Sequence, residues 1–182
     1  MANSMATPQQ FGVRGHIQIG KWPLYASTGA FGIGDFLKLH TTGEATLAAA
    51  NNAAVTATSG NSHRILGRAL KGSVDENDAL RTTAEYIIAQ PGTEFCMPVY
   101  NDTQASAIAT PATDPLTSYG LYNVGGTFAV NNGDTSAVKC CIKDFDQDDV
   151  TTWPAAITAG TSVNPRVWVE FLPAHCFTSI AS

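Results

Sequence analysis

The chain has 182 residues and a mass of 19.1 kDa, the size of one domain able to remove roughly 70% of its unfolded surface from water. Hydrophobic residues make up 44% and charged residues only 14%, the difference being filled by small neutral side chains, with 26 Ala, 21 Thr and 16 Gly, which excludes a disordered chain and a fibrous repeat. A net charge of −5 and a pI near 5.2 exclude nucleic-acid binding by phosphate neutralisation; residues 1–100 are balanced at seven basic and seven acidic, whereas 101–182 hold three and eight, so an electrostatic partner of the C-terminal part is expected to be basic.

Residues 1–15 are polar apart from Phe11 and Val13 and read as an extended arm ahead of a β domain over residues 16–182. The opening segment has neither a positive nor an apolar stretch of the kind that directs export, and no run reaches 18 apolar residues, so cytoplasmic synthesis and no membrane contact are expected. Ile17, Ile19, Trp22 and Leu24 give an alternating stretch interrupted by Pro23, which predicts an edge strand or a bulge. A Gly-rich turn over residues 29–35 leads into a short strand at Phe36-Leu37-Lys38-Leu39. Residues 44–62 are rich in Ala, Thr and Asn with only Leu47 and Val55 as large apolar anchors, and read as a long loop, a frayed helical turn near 45–50 being the alternative.

A strand is predicted from Ile65, and Asp75-Glu76-Asn77-Asp78 could cap one short helix through Leu80. The run Tyr86-Ile87-Ile88-Ala89 and the segment Glu94 to Tyr100 read as a hairpin around Gln90-Pro91-Gly92-Thr93. Residues 101–118 read as a second long loop. Tyr119–Val124, Thr127–Val130 and Ala137–Phe145 follow as strands, the last two joined as a hairpin by Asn131-Asn132-Gly133-Asp134. Arg166 to Leu172 alternates clearly and predicts a C-terminal strand. Seven to nine short strands at this spacing predict an all-β, single-domain β-barrel or sandwich with an N-terminal arm and long loops.

Chemistry is sparse. Asp144, Asp146 and Asp148 alternate as in a calcium loop, but the motif needs Gly at its sixth position and Glu at its twelfth, where Asp149 and Ala155 stand; a solvated acidic turn is expected. Cys96, Cys140, Cys141 and Cys176 lack metal-ligand spacing and are expected as free thiols. The four histidines accompany no nucleophile elbow, and no phosphate-cradling glycine loop is present. No catalytic residue, metal or cofactor is therefore predicted. Trp22, Tyr119, Tyr122, Trp153 and Trp168 could line a sugar platform, though aromatic residues on strands are usually core or interface.

Taken in order, the polar arm, Ile33-Gly34-Asp35-Phe36-Leu37-Lys38-Leu39 with the Ala/Thr/Gly loop after it, Ile65-Leu66-Gly67-Arg68-Ala69-Leu70, and residues 86–95 resemble the capsid decoration, or cement, proteins of tailed bacteriophages, especially a group from phages of aquatic bacteria. The resemblance covers residues 10–100 best. It implies a small β-barrel on the exterior of a virion, binding the major capsid protein as a homo-oligomer, dimer or trimer, and reinforcing the shell, with no catalytic residues. On this reading Phe11, Arg14, Trp22, Asp144, Asp146 and Asp148 are the expected partner contacts. A β-rich carbohydrate- or ligand-binding module, displayed for host adsorption, is the alternative.

Overall fold

Where apolar and polar side chains alternate, one side of a strand is committed to a core and the other to solvent or a neighbour. The computed structural model describes residues 12–56, 60–100, 116–124, 126–146 and 166–177. Among these the strands are, in chain order, β1 (Val13–Gly15), β2 (Ile19–Pro23), β3 (Phe36–Leu39), β4 (Ala45–Leu47), β5 (Ala53–Ala54), β6 (Ile65–Ala69), β7 (Thr83–Ile88), β8 (Thr93–Tyr100), β9 (Ser118–Val124), β10 (Thr127–Asn131), β11 (Cys140–Phe145) and β12 (Arg166–Phe171). Two 3-10 turns, Asn61–His63 and Pro173–His175, complete the described elements. The protein is all-β, as predicted.

Five strands close into a ring in the order β8, β10, β9, β11, β12 and back to β8. A ring of five cannot alternate direction all the way round, so one neighbouring pair must be parallel. That pair is β8 and β10, with Val99 opposite Val130; the other four are antiparallel. Inward side chains, among them Phe95, Met97, Val99, Leu121, Val130, Ile142, Val167, Val169 and Phe171, fill the interior, as expected of a barrel this narrow. β1 pairs with β8 and β5 with β9, outside the ring.

The second sheet, β2-β7-β6-β3-β4, also returns on itself. Just past β2, Leu24 forms a parallel bridge with Ala45 of β4, and Tyr25 N donates to Ala45 O at 2.8 Å. Leu24, Leu37, Leu39, Ala45, Leu66, Ala69, Ala84 and Tyr86 form its own core. β2 pairs along its length with β7 alone and ends at Pro23, which fits the edge strand that the proline predicts.

Phe36 joins the two. Alternation on β3 sends Leu37 and Leu39 into the second core and Phe36 into the first, where its ring meets Phe95, Phe128 and Phe171 at centroid distances of 5.1, 5.7 and 5.2 Å. A second link is a two-stranded ribbon that bends from one sheet into the other. Val13 to Gly15 faces Phe95 to Thr93, and Ile19 to Pro23 faces Ile87 to Thr83. The sum of paired residue numbers drops from 108 to 106 across the bend, so the 83–95 side carries two extra residues through the corner.

Several sequence expectations are corrected. The described end of the arm, Val13–Gly15, is a sheet strand, because its backbone completes the free side of β8. β7 and β8 are not a hairpin: the Gln90–Thr93 turn, closed by Thr93 N on Gln90 O at 3.0 Å, carries the chain from one sheet to the other. Nor do β10 and β11 pair. Asn131 folds its side chain onto Gly133 N at 3.1 Å and Asp134 accepts from Ser136 N and Ala137 N, so the chain turns sideways past β9, and β11 pairs on the far side of that strand. The region 44–62 holds β4, β5 and a 3-10 turn instead of one loop, since small side chains such as Ala45, Ala48 and Ala49 are buried without large anchors. At 75–80 no helix forms: Asp75 accepts from Asn77 N and Ala79 N, Asp78 has φ +58°, and Val74 bridges Leu80.

Candidate functional site

The outward face of the first ring gathers three of the expected partner contacts, Arg14, Asp144 and Asp146. β1, β8, β12 and β11 lie side by side, so register alone places Arg14 opposite Glu94, Glu94 opposite Glu170, and Trp168 opposite both Cys96 and Asp144. Arg14 donates to Glu94 Oε2 at 2.7 Å and reaches Asp144 Oδ2 at 3.4 Å, with its guanidinium 4.4 Å from the Trp168 ring centroid. One row further on, Arg166 and the nearly buried Asp146 pair at 2.8 Å, and Lys143 pairs with Glu170 at 3.3 Å. Three basic groups thus face four acidic ones, and most of the acidic charge on this face is neutralised within the chain. Phe11 and Asp148 lie outside the described residues.

The Asp146–Arg166 pair makes a separable prediction. Asp146→Ala removes a carboxylate from a largely desolvated pair and should cost about 2–3 kcal/mol, whereas Arg14→Ala at the solvent-facing end should cost under about 1 kcal/mol. Urea denaturation of the two variants checks the difference, and equal losses would contradict the assigned burial.

Trp22 sits elsewhere, on β2. It donates Nε1–H to Gly43 O at 2.6 Å and meets Phe177 edge-on at 4.6 Å, so its ring serves the second core. Trp168 lies over Gly12, where an added Cβ would approach its ring to 2.8 Å. Both indoles are occupied by the fold and do not form an open platform. Trp153 lies outside the described residues.

Nucleophiles are similarly committed. Burial pushes the Cys96 thiol up to about 12, helped by the neighbouring Asp146 carboxylate, and burial pushes Cys140 up as well. Adjacent Cys140 and Cys141 occupy opposite sides of β11, the first buried and the second half-buried. On the turn after β3, His40 Nδ1 lies 2.8 Å from Thr42 Oγ1, but that hydroxyl donates to Glu44 Oε2 at 2.8 Å. With its proton directed at the carboxylate, Thr42 is not presented to His40 as a nucleophile. Among the described residues no group of three His, Cys, Asp or Glu could hold a metal ion, and no helix is long and apolar enough to cross a membrane.

Sequence reasoning missed the exposed apolar side chains. Ile17 and Ile19 are 54% and 65% exposed, at the ribbon corner beside an open groove of about 230 Å³ lined by Gly15, His16, Ile17 and Gln18. Ile19 is opposite Ile87 on β7. A signal was present: the apolar positions are odd at 17 and 19 but even at 22 and 24, so the two pairs cannot face the same side of one regular strand. Ile33 and Leu116 are further exposed aliphatics, and a groove of about 280 Å³ between Lys71, Arg81 and Glu85 is lined mainly by polar side chains. Comparison with family models, curated proteins and solved structures gives no match to this chain.

Proposed function

We propose that this chain is a structural virion protein that decorates the exterior of an icosahedral phage head, bridging major capsid protein subunits as a homo-oligomer and stabilising the shell without catalysis or cofactor. The observation that carries the reading is the exposed pair Ile17 and Ile19 on a two-sheet scaffold, next to a face whose ion pairs are already satisfied internally. Covering one such side chain is worth roughly 1.5–3 kcal/mol. Contacts this small become durable when a lattice repeats them and holds each site at high local concentration. The order of sequence segments described above supports the same reading, and the occupied tryptophans weigh against a glycan platform.

The test is to heat heads with and without bound protein, alongside heads offered the Ile17→Asp, Ile19→Asp double variant. Decorated heads are expected to release their genome at a higher temperature, and the variant, folded as judged by circular dichroism, to lose at least about tenfold in binding, which corresponds to 1.4 kcal/mol. Equal release temperatures would reject the stabilising role. Adsorption of the protein to host glycans in place of heads would favour the carbohydrate-binding alternative.

A further inference from the structure

Past β12 the chain leaves the first ring and crosses to the second sheet. Leu172 N donates to Lys139 O at 2.9 Å, Pro173–His175 make one 3-10 turn, Cys176 bridges Ile65 of β6, and Phe177 meets Trp22. Residues 172–177 are therefore a strap laid across both sheets. At the strap two histidines meet, His175 within it and His63 under it. His63, on the turn before β6, directs Nε2 to Ala174 O at 3.1 Å and Nδ1 to Gly60 O, and its ring lies edge to face with His175 at 5.4 Å. His175 Nδ1 is buried and has no hydrogen-bond partner.

Among the described residues the charges around this pair are mainly positive. Lys139, fully buried just before β11, faces His175, and Lys38 of β3 faces Lys139 in turn. Among the described residues Asp134 is a carboxylate opposed to Lys139. On the strap itself Cys176 remains a thiol, burial and then the Glu170 carboxylate pushing it up to about 12.

We propose that His175 is a proton-operated release for the C-terminal strap: neutral, it lets residues 172–177 lie across both sheets, and protonated, it drives them off. An imidazolium here would carry a buried N–H with no acceptor and would face the Lys139 cation. His63 is not the releasing group, because both its ring nitrogens face carbonyl oxygens and its protonated form donates to Gly60 O and to Ala174 O of the strap at once. Toward His175 its protonation adds a charge. Burial first, then Lys139 and His63, hold His175 down at about 4, a backbone hydrogen bond with His63 offsetting part of this. In the open strap the ring returns to about 6.5. The closed form is thus fully favoured above about pH 6.5 and loses that advantage as the pH falls toward 4, the opening constant rising by at most about tenfold per pH unit. Solvent screening of the partly exposed ring makes the rise shallower than that limit.

Backbone hydrogen exchange in the full chain tests this. The amides of His175 and Cys176, which donate to Leu172 O and Pro173 O, are followed from pH 7 to pH 5 after correction for intrinsic exchange. Their protection should fall by about tenfold while that of Phe95 and Met97 in β8 holds, and His175→Gln should flatten the change. A fall of the same size in His175→Gln, a fall throughout the chain, or no fall would overturn the proposal. Should that variant not fold, an imidazole NMR titration of the unmodified protein decides: a His175 midpoint well below 6 supports the release, and one at about 6.5 or above rejects it.

Discussion

Phe36→Ala is expected to lower the unfolding free energy by about 4 kcal/mol, a large part of the roughly 5–15 kcal/mol typical of a domain. Phe36 is 2% exposed and belongs by chain position to the second sheet, yet its ring is packed among Phe95, Phe128 and Phe171 of the first. Truncation would remove the apolar surface of a whole ring, three aromatic ring contacts and the wedge by which the sheets grip each other. The surrounding strands close in rings and cannot collapse freely into the space, which places the cost toward the upper part of the Phe→Ala range. Phe36→Leu keeps most of the volume and should cost about 1.5 kcal/mol. Guanidinium denaturation of the three proteins measures both differences; a loss below about 1.5 kcal/mol for Phe36→Ala would mean that the wedge does not couple the sheets.

Gly67→Ala should also be strongly damaging, at about 3 kcal/mol or more, through backbone and not through lost packing. Register between β3 and β6 jumps from Leu37 opposite Gly67 to Lys38 opposite Ile65, so Leu66 is the extra residue of a bulge. Gly67 within that bulge has φ +149°, and a Cβ there would stand 1.8 Å from Ile87 O on the paired strand. That oxygen belongs to the sheet backbone and cannot swing aside. Gly43→Ala provides the comparison: φ is +90° but nothing lies within 4 Å of the added atom, so only the conformational cost of about 1 kcal/mol should appear. Similar losses at the two positions would show that the close approach on β6 is relieved by a backbone shift.

The acid-linked release of the strap would give the proposed virion protein a junction that loosens without unfolding either sheet. The two readings fail separately. Head binding can be lost through Ile17 and Ile19 with His175 still titrating low, and the strap can prove insensitive to acid in a protein that still stabilises heads.

Alternation was enough to locate β8 and β12, because a strand buried on one side must repeat its apolar residues every second position, and Thr93–Tyr100 and Arg166–Phe171 do so within a residue of the predicted limits; β3, apolar at Phe36, Leu37 and Leu39, is instead buried on both sides. Spacing also pointed to the all-β class, because few segments hold apolar residues at helical periodicity. Pairing was not legible. The same alternation suits any partner strand, so Gln90–Thr93 and Asn131–Asp134 looked like hairpin turns, while only the completed rings decide that one crosses between sheets and the other passes around β9. Asp144 and Asp146 were visible as acids, but their neutralisation by Arg14 and Arg166 depends on the sheet bringing together residues 130 and 20 positions apart in sequence, Arg14 reaching Asp144 across β8 and β12. His63 and His175 are more than a hundred residues apart and carry no shared motif. Local sequence sets which side of a strand is apolar; which charges and rings then face one another is decided by closure of the sheets, a property of the whole chain.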